Sequence, residues 1–417
     1  MKVFGVFLLT ISFLISSLPS HAQVTVSLQE AVKLAKSGNP VLKSEKLNIS
    51  IAETDVITAG LRPNPALNNQ TLQLVRPSLF PNDTRWSNSI NRQVWWQLTK
   101  QFQWPALRQN KIEFARQGVR VIENNFNEFE RNLTLDVATT WLDTWHIKQL
   151  LTTLQNAQLN VDSLVNIQKA RLRNQVITAT ELLRTQILLE QYNLQLKTTR
   201  QEYLNSIQEL KFMLGTSDSL DVSTDATIES FSISSGPDSL LRITLERRSD
   251  IKLIQSSIIA SESNLKLQNS MKWPIPELGV IWNPQNTIPY LGFFGTIQVP
   301  LFSRNQGGIS RATFEKQQAE QNLQTVQLRI NTELTAAYQT YQLQKETLTR
   351  YSQILQQSND VLRSVRYSYL RGGTTLIDLL EAQRSWYDTQ QLYYDAQKTY
   401  YQSYLRLLYV TGLITQL

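Results

Sequence analysis

No cysteine occurs in the 417 residues, and that absence removes several possibilities at once. There is no disulfide framework, no thiolate metal site and no cysteine for N-terminal lipid attachment. Histidine is nearly missing too. With only His21, His146 and 3 Met in the chain, a transition-metal site at its usual ligand count cannot be assembled. Beyond the N-terminus no run of about 18 apolar residues occurs, so no membrane-spanning helix is expected. The chain has no Lys/Arg-rich block and no RNA-type aromatic motif, so its net charge of +7 does not point to nucleic acid. No nucleophile–base pair, phosphate loop or metal triad is present, which argues against an enzyme and against a cofactor. Charged residues make up only 18%. Gln, Asn, Ser and Thr fill the polar positions instead, as suits long helices that face both neighbouring helices and water.

What is there begins with a short apolar run, Val3 to Ile15, after Lys2 and ahead of Ser20-His21-Ala22. A positive start, a short apolar centre and a small-x-small site read as a signal peptide over residues 1–22, with an exported mature chain beginning near Gln23.

The chain then does everything twice. A shift of 197 residues aligns Trp141 with Tyr338, Glu181 with Asp378, Leu182-Leu183 with Leu379-Leu380 and Gln186 with Gln383. The same shift pairs Tyr203 with Tyr400, Ser206 with Ser403, Leu210 with Leu407 and Gly215 with Gly412. A single shift held over so long a stretch is a duplication. The expected division is a first repeat at 23–215, a linker rich in Ser, Thr and Asp at 216–239, with a small side element as an alternative to plain linker, and a second repeat at 240–417.

Each repeat opens with a helix start. Ser27-Leu28-Gln29-Glu30 is a capping box, Asn39-Pro40 is a cap followed by proline at the first helical position, and Ser249-Asp250 opens the counterpart. Proline-rich stretches close these helices. Strand-like alternation follows, in hairpins expected over about 65–104 and about 276–302. Leu291, Phe293, Ile297, Val299 and Leu301 alternate with Gly292, Phe294, Thr296, Gln298 and Pro300, while Val94, Trp96, Leu98, Phe102 and Trp104 alternate with Gln93, Trp95, Gln97, Gln101 and Gln103. Apolar residues on one face and Gln or Thr on the other suit a barrel wall, although half of a soluble sandwich shows the same period. Lys100 falls on the apolar face, and suits it only near an interface. The expected loops are 76–90 and 284–290, and no further strands are expected.

Four long helices complete the pattern, expected at 107–173, 177–214, 305–371 and 375–411. In the third, Leu323, Val326, Ile330, Leu334, Ala337 and Tyr341 form one apolar stripe at gaps of three and four. At 1.5 Å per residue such a helix is about 95 Å long, and helices of that length pack lengthwise as coiled coils. Gly372-Gly373 reads as the reversal at the tip of a helical hairpin. The fold class is therefore mainly α with a small β part. Two β-hairpins cannot close a barrel, and unpaired edges in a membrane are costly. The chain is expected to oligomerise, and three copies would give about twelve strands.

The duplicated layout, Asn39-Pro40, the proline-rich hairpin entrances and GGTTLIDLLEAQ at 372–383 with its first-repeat copy resemble the outer membrane efflux proteins, the TolC-like channel-tunnels. The resemblance covers the whole mature chain, and its short external loops are most similar to the heavy-metal branch. It implies a homotrimer with a 12-stranded barrel in the outer-membrane lipid and a helical tunnel in the periplasm. A periplasmic adaptor and an inner-membrane pump, of resistance-nodulation-division type, are the implied partners, with small molecules or metal cations as cargo. A type I secretion exit duct and a soluble periplasmic coiled-coil adaptor or scaffold are the alternatives. Asp378 and Glu381, three apart on one helix face, take the acidic positions that line the periplasmic entrance in that family. The other reading of these acids is a solvated first turn, where carboxylates favour the helix N-terminus. The family's closing latch links a Tyr and an Arg of the second repeat to an acid of the first. Tyr369 and Glu181 match two of these positions, but Thr374 stands where the Arg would be, which implies a weaker latch.

Overall fold

The computed structural model describes residues 24–81, 83–224, 237–285 and 288–417. The expected signal peptide and positions 225–236 of the expected linker lie outside the described residues. The chain divides into two compact units, one of residues 1–43, 129–248 and 329–417, the other of 44–128 and 249–328.

The first unit is helical around a small parallel sheet. Strand β1 (Val24–Val26) is followed by α1 (Leu28–Gly38), whose Ser27–Glu30 capping box is formed in full. Asn39 caps α2 (Pro40–Gly60): its Oδ1 accepts from the Leu42 amide at 2.9 Å. The long helices are α3 (Pro105–Arg173), α4 (Ala179–Leu214), α7 (Gln306–Leu370) and α8 (Leu376–Thr411). At 65 and 69 residues, α7 and α3 are each about 100 Å long. The apolar stripe of α7 is buried at Ile330, Leu334, Ala337 and Tyr341, together with Trp141, Leu142, Leu210, Leu405, Leu407 and Leu408.

Two corrections concern the region between the repeats. The expected linker contains a strand, β4 (Leu220–Val222), which pairs in parallel with β1, Val24 opposite Leu220 and Val26 opposite Val222. The expectation of no further strands therefore fails. Three residues are too few for a readable period, and the pairing is secured by side chains from distant helices. Lys148 Nζ donates to Asp221 Oδ1 at 2.8 Å and to the Val222 carbonyl at 2.6 Å, and the Tyr203 hydroxyl donates to the same carboxylate. Helix α5 (Pro237–Arg247) then begins inside the expected linker, and α6 (Ser249–Ser270) follows it.

The duplication is written into the caps. Helices α4 and α8 both end at a glycine in the left-handed region, Gly215 at φ 67° and Gly412 at φ 73°. Each glycine sits against the junction of two short helices. A Cβ on Gly215 would lie 2.2 Å from the Gly38 carbonyl oxygen, and one on Gly412 would lie 3.2 Å from Arg247 and Arg248 backbone atoms. Beside them, Asn39 Nδ2 donates to the Met213 carbonyl at 2.8 Å, as Arg248 does to the Val410 carbonyl at 3.5 Å. Met213 and Val410 are again 197 apart.

In the second unit, β2 (Ala66–Gln73), β3 (Arg92–Gln101), β5 (Glu277–Gln285) and β6 (Ile288–Thr296) form one antiparallel sheet in that order. The register puts Leu67, Trp96, Leu98, Leu278, Val280, Trp282, Leu291 and Phe293 on a single face. Phe293 is 84% exposed there. The opposite face carries Asn68, Gln70, Gln97, Thr99, Asn283 and Thr296 together with Trp95, Ile281 and Tyr290, and Phe294 lies over Gly279.

The expected loop 284–290 is a further correction, because β5 runs to Gln285 and β6 begins at Ile288. Proline suggested a loop, but Pro284 faces Pro289 across the ladder, where neither position calls for a donor. Ile297, Val299 and Leu301 continue the alternation in sequence but lie past the end of β6. Thr296 pairs with Glu277, and the residues before Glu277 include Pro274 and Pro276, which cannot donate to a ladder.

Gly215→Ala is expected to destabilise the protein more than Gly412→Ala. Both incur about 1–2 kcal/mol for a left-handed residue with a Cβ, and Gly215→Ala must also displace the Gly38 carbonyl. Thermal unfolding of both variants checks the order.

Candidate functional site at the helical-hairpin tips

All the sequence-predicted site residues belong to the first unit, at the turns between α3 and α4 and between α7 and α8. Both turns stop their helix in the same way. Gly372 N–H donates to the Tyr369 carbonyl at 3.1 Å and Gly373 N–H to the Ser368 carbonyl at 2.9 Å. One repeat earlier, Gln175 donates to Leu172 at 2.9 Å and Val176 to Arg171 at 2.9 Å. This bond pair defines a Schellman stop, with the first donor in the left-handed region. Gly372 has φ 79° and Gln175 has φ 57°. Of the glycine pair, then, only Gly372 uses glycine's freedom, and Gln175 holds the same conformation with a side chain attached.

Each turn leads into a capping box. Thr375 Oγ1 accepts from the Asp378 amide at 3.2 Å, while the Asp378 carboxylate accepts from the Thr375 amide at 3.0 Å and hydroxyl at 2.6 Å. The Thr374 hydroxyl donates to the same carboxylate at 2.6 Å. Donation from Thr374, then Thr375, stabilises the ionised form and brings the Asp378 pKa down to about 2. Thr178 and Glu181 repeat the box, the Glu181 carboxylate accepting from the Thr178 amide at 2.8 Å and hydroxyl at 3.1 Å. The pattern T-x-x-D/E is the one recognised at Ser27–Glu30, and it was the overlooked signal at Thr178 and Thr375.

Thr374, Thr375 and Asp378 thus come together, whereas Tyr369 and Glu181 do not bond within one chain. Tyr369 is buried among Leu164, Leu376 and Leu379, with the Arg171 guanidinium 5.2 Å from its ring centroid. Glu381 lies apart from Asp378's hydrogen bonds. It lines a cleft of about 470 Å³ between α4 and α8, with Arg184, Leu188, Ile377, Leu380 and Arg384. Arg171, Arg184 and Arg384 had no part in the sequence-based expectation, and of these Arg184 and Arg384 share the cleft of Glu381. His146, on α3, bonds Asp395 at 2.7 Å, and burial holds its pKa below the usual value despite that carboxylate. Among the described residues no cluster of His, Cys, Asp or Glu is arranged to hold a metal ion, and no helix is long and apolar enough to cross a membrane.

Thr375→Ala and Thr178→Ala should each remove about 1 kcal/mol of helix-end stability, seen as faster amide exchange in the first turn of α8 or α4. Asp378's folded pKa is depressed, so its contribution is present above its ordinary value near 3.8 and lost as pH falls through about 2. Wild-type thermal stability should accordingly fall more steeply over that window than that of Asp378→Asn.

Residues 291–413 match the family model described as Outer membrane efflux protein. No curated protein matches the chain by sequence. Among solved structures, CusC aligns at TM-score 0.76 and 18% identity over 95% of both chains. CmeC of Campylobacter jejuni, an outer membrane channel, aligns at TM-score 0.73 and 14% identity over 92% of this chain and 85% of its own. The open state of the MtrE outer membrane channel of Neisseria gonorrhoeae aligns at TM-score 0.72 and 16% identity over 93% and 89%. Through more than nine-tenths of its length the chain has the fold of these channel-tunnels, and over residues 291–413 it resembles outer membrane efflux proteins in sequence as well.

Proposed function

We propose that the chain is an outer membrane efflux protein. Three copies would form an exit duct, joining their sheets into a 12-stranded barrel and their helical hairpins into a periplasmic tunnel. The four-stranded sheet carries this reading. It has an apolar face of eight exposed or half-exposed residues, an opposite face that mixes Gln, Asn and Thr with Trp95, Ile281 and Tyr290, and, among the described residues, two unpaired edges along β2 and β6. An apolar outer wall and a polar lumen require the edges to be closed by further copies, because unpaired backbone groups in hydrocarbon cost several kcal/mol each. A soluble scaffold has no use for such a face. The partners of this reading are a periplasmic adaptor and an inner-membrane pump, and the pump selects the cargo, drug or metal cation.

Two measurements test the duct. Alkaline-washed membranes should retain the protein, and light scattering in mild detergent should give three times the protomer mass; a monodisperse monomer would overturn it. Within the barrel, Phe293→Arg places a charge on the lipid face at a cost of up to about 2–4 kcal/mol and should sharply reduce membrane assembly, while Gln97→Glu on the lumen face should assemble normally.

We further assign Asp378 and Glu381 to the mouth of the tunnel, where three chains bring six carboxylates around one axis. Their roles differ. Glu381→Gln should lower K⁺ over Cl⁻ selectivity in planar bilayers with the fold intact, because its carboxylate has no capping duty. Asp378→Asn should loosen the turn as well. Equal selectivity in wild type and Glu381→Gln would remove Glu381 from the pore mouth.

A further inference from the structure

In the second unit, a pocket of about 310 Å³ opens where the end of β3 meets the start of α3, lined by Arg62, Pro63, Lys100, Phe102, Pro105 and Arg108 among others. Its charges are all of one sign. Arg108 is tied by Nε and Nη2 to the Gly60 carbonyl at 3.0 and 2.8 Å, where it satisfies the end of α2. Arg62 and Lys100 make no ion pair among the described residues. No carboxylate lines the pocket. Glu277, the acid of the ladder, pairs with the lining residue Gln101 but does not itself line the pocket.

Lys100 is the residue that does not fit its surroundings. The register places it opposite Leu278, on the apolar face with Leu98, Val280 and Phe293. Its ammonium lies 6.0 Å from the Phe102 ring centroid, at the rim where the strand ends. Snorkelling towards water accounts for one lysine at such a rim. It does not account for Arg62, which unlike Arg108 has no side-chain bond to the backbone among the described residues, lining the same acid-free hollow as that lysine.

We propose that this pocket binds the phosphate of an anionic glycerophospholipid. The headgroup lies between Arg62 and Lys100, and the acyl chains run along Leu98, Leu278 and Val280. Arg62 presents a planar fork suited to phosphate oxygens, and Lys100 a point charge. The lack of a carboxylate leaves a zwitterionic headgroup's amine without a partner, so phosphatidylglycerol is favoured over phosphatidylethanolamine. The proposal rests on the reading of the apolar sheet face as the lipid-facing wall.

The test is native mass spectrometry of the detergent-extracted full chain, titrated with each lipid. Wild type should bind phosphatidylglycerol about tenfold more tightly than phosphatidylethanolamine. The Arg62→Gln/Lys100→Gln variant should lose that preference, and Arg62→Lys/Lys100→Arg should keep it. Soluble glycerol phosphate should not displace the lipid at millimolar concentration. No preference in wild type, an unaltered preference in the Gln variant, or displacement by glycerol phosphate would overturn the site. A protein that is membrane-retained and trimeric but shows any of these results loses only this site, whereas a protein released by alkaline wash loses the duct reading itself.

Discussion

A four-stranded antiparallel sheet leaves two rows of backbone donors and acceptors unpaired, one along β2 and one along β6. In water those edges are solvated. Against hydrocarbon they would have to be paired, so on the proposed duct reading other copies of the chain complete the sheet. The rest of the second unit agrees with this demand. Eight of its apolar residues gather on one face, while the other mixes Gln, Asn and Thr with Trp95, Ile281 and Tyr290, and Phe294 covers the gap left there by Gly279, the device by which an aromatic ring shields a strand glycine.

The helical part was the more legible. Period placed α4 and α8 and a glycine closed each of them, whereas the threonine box that fixes each start, at Thr178 and Thr375, went unread. The sheet was read less fully. Its phase came through at Trp96, Leu98, Leu291 and Phe293, but its ends did not, since alternation in sequence carries on through Ile297, Val299 and Leu301 after the pairing partner has run out. What β1 and β4 depend on was not local at all. Lys148, Tyr203 and the Trp141 Nε1, which donates to the Val26 carbonyl at 3.1 Å, arrive from far along the chain, and no local pattern announces them.

Repetition also shows which details the architecture needs and which it tolerates. The turn conformation recurs at Gln175 and Gly372 with the same two backbone bonds. The stop is therefore required in both repeats, and glycine is only the cheaper way to make it, a left-handed residue with a Cβ costing about 1–2 kcal/mol. At the helix junctions the reverse holds. Gly215 has no substitute, because the Gly38 carbonyl occupies the space a side chain would need, whereas Gly412 faces a looser junction at Arg247 and Arg248. The same fold element thus tolerates a side chain where its Cβ points into open space and excludes one where two backbones meet.

The two acids that drew attention to the tip are separated by their hydrogen bonds. At a spacing of three they share a helix face, and counting charges would treat them as a pair. Asp378 receives two hydroxyls and an amide, and its charge is tied to holding the turn together. Glu381 sits one turn further on in a cleft with Arg184 and Arg384 and has no such duty. A carboxylate held by three donors at a helix N-terminus has part of its field offset by those donors and by the helix dipole. Glu381 carries no such offset beyond what the two arginines supply. Of the two acids, the one whose charge is the freer to act on its surroundings is therefore Glu381, and the strength of its field depends on how far Arg184 and Arg384 lie from it.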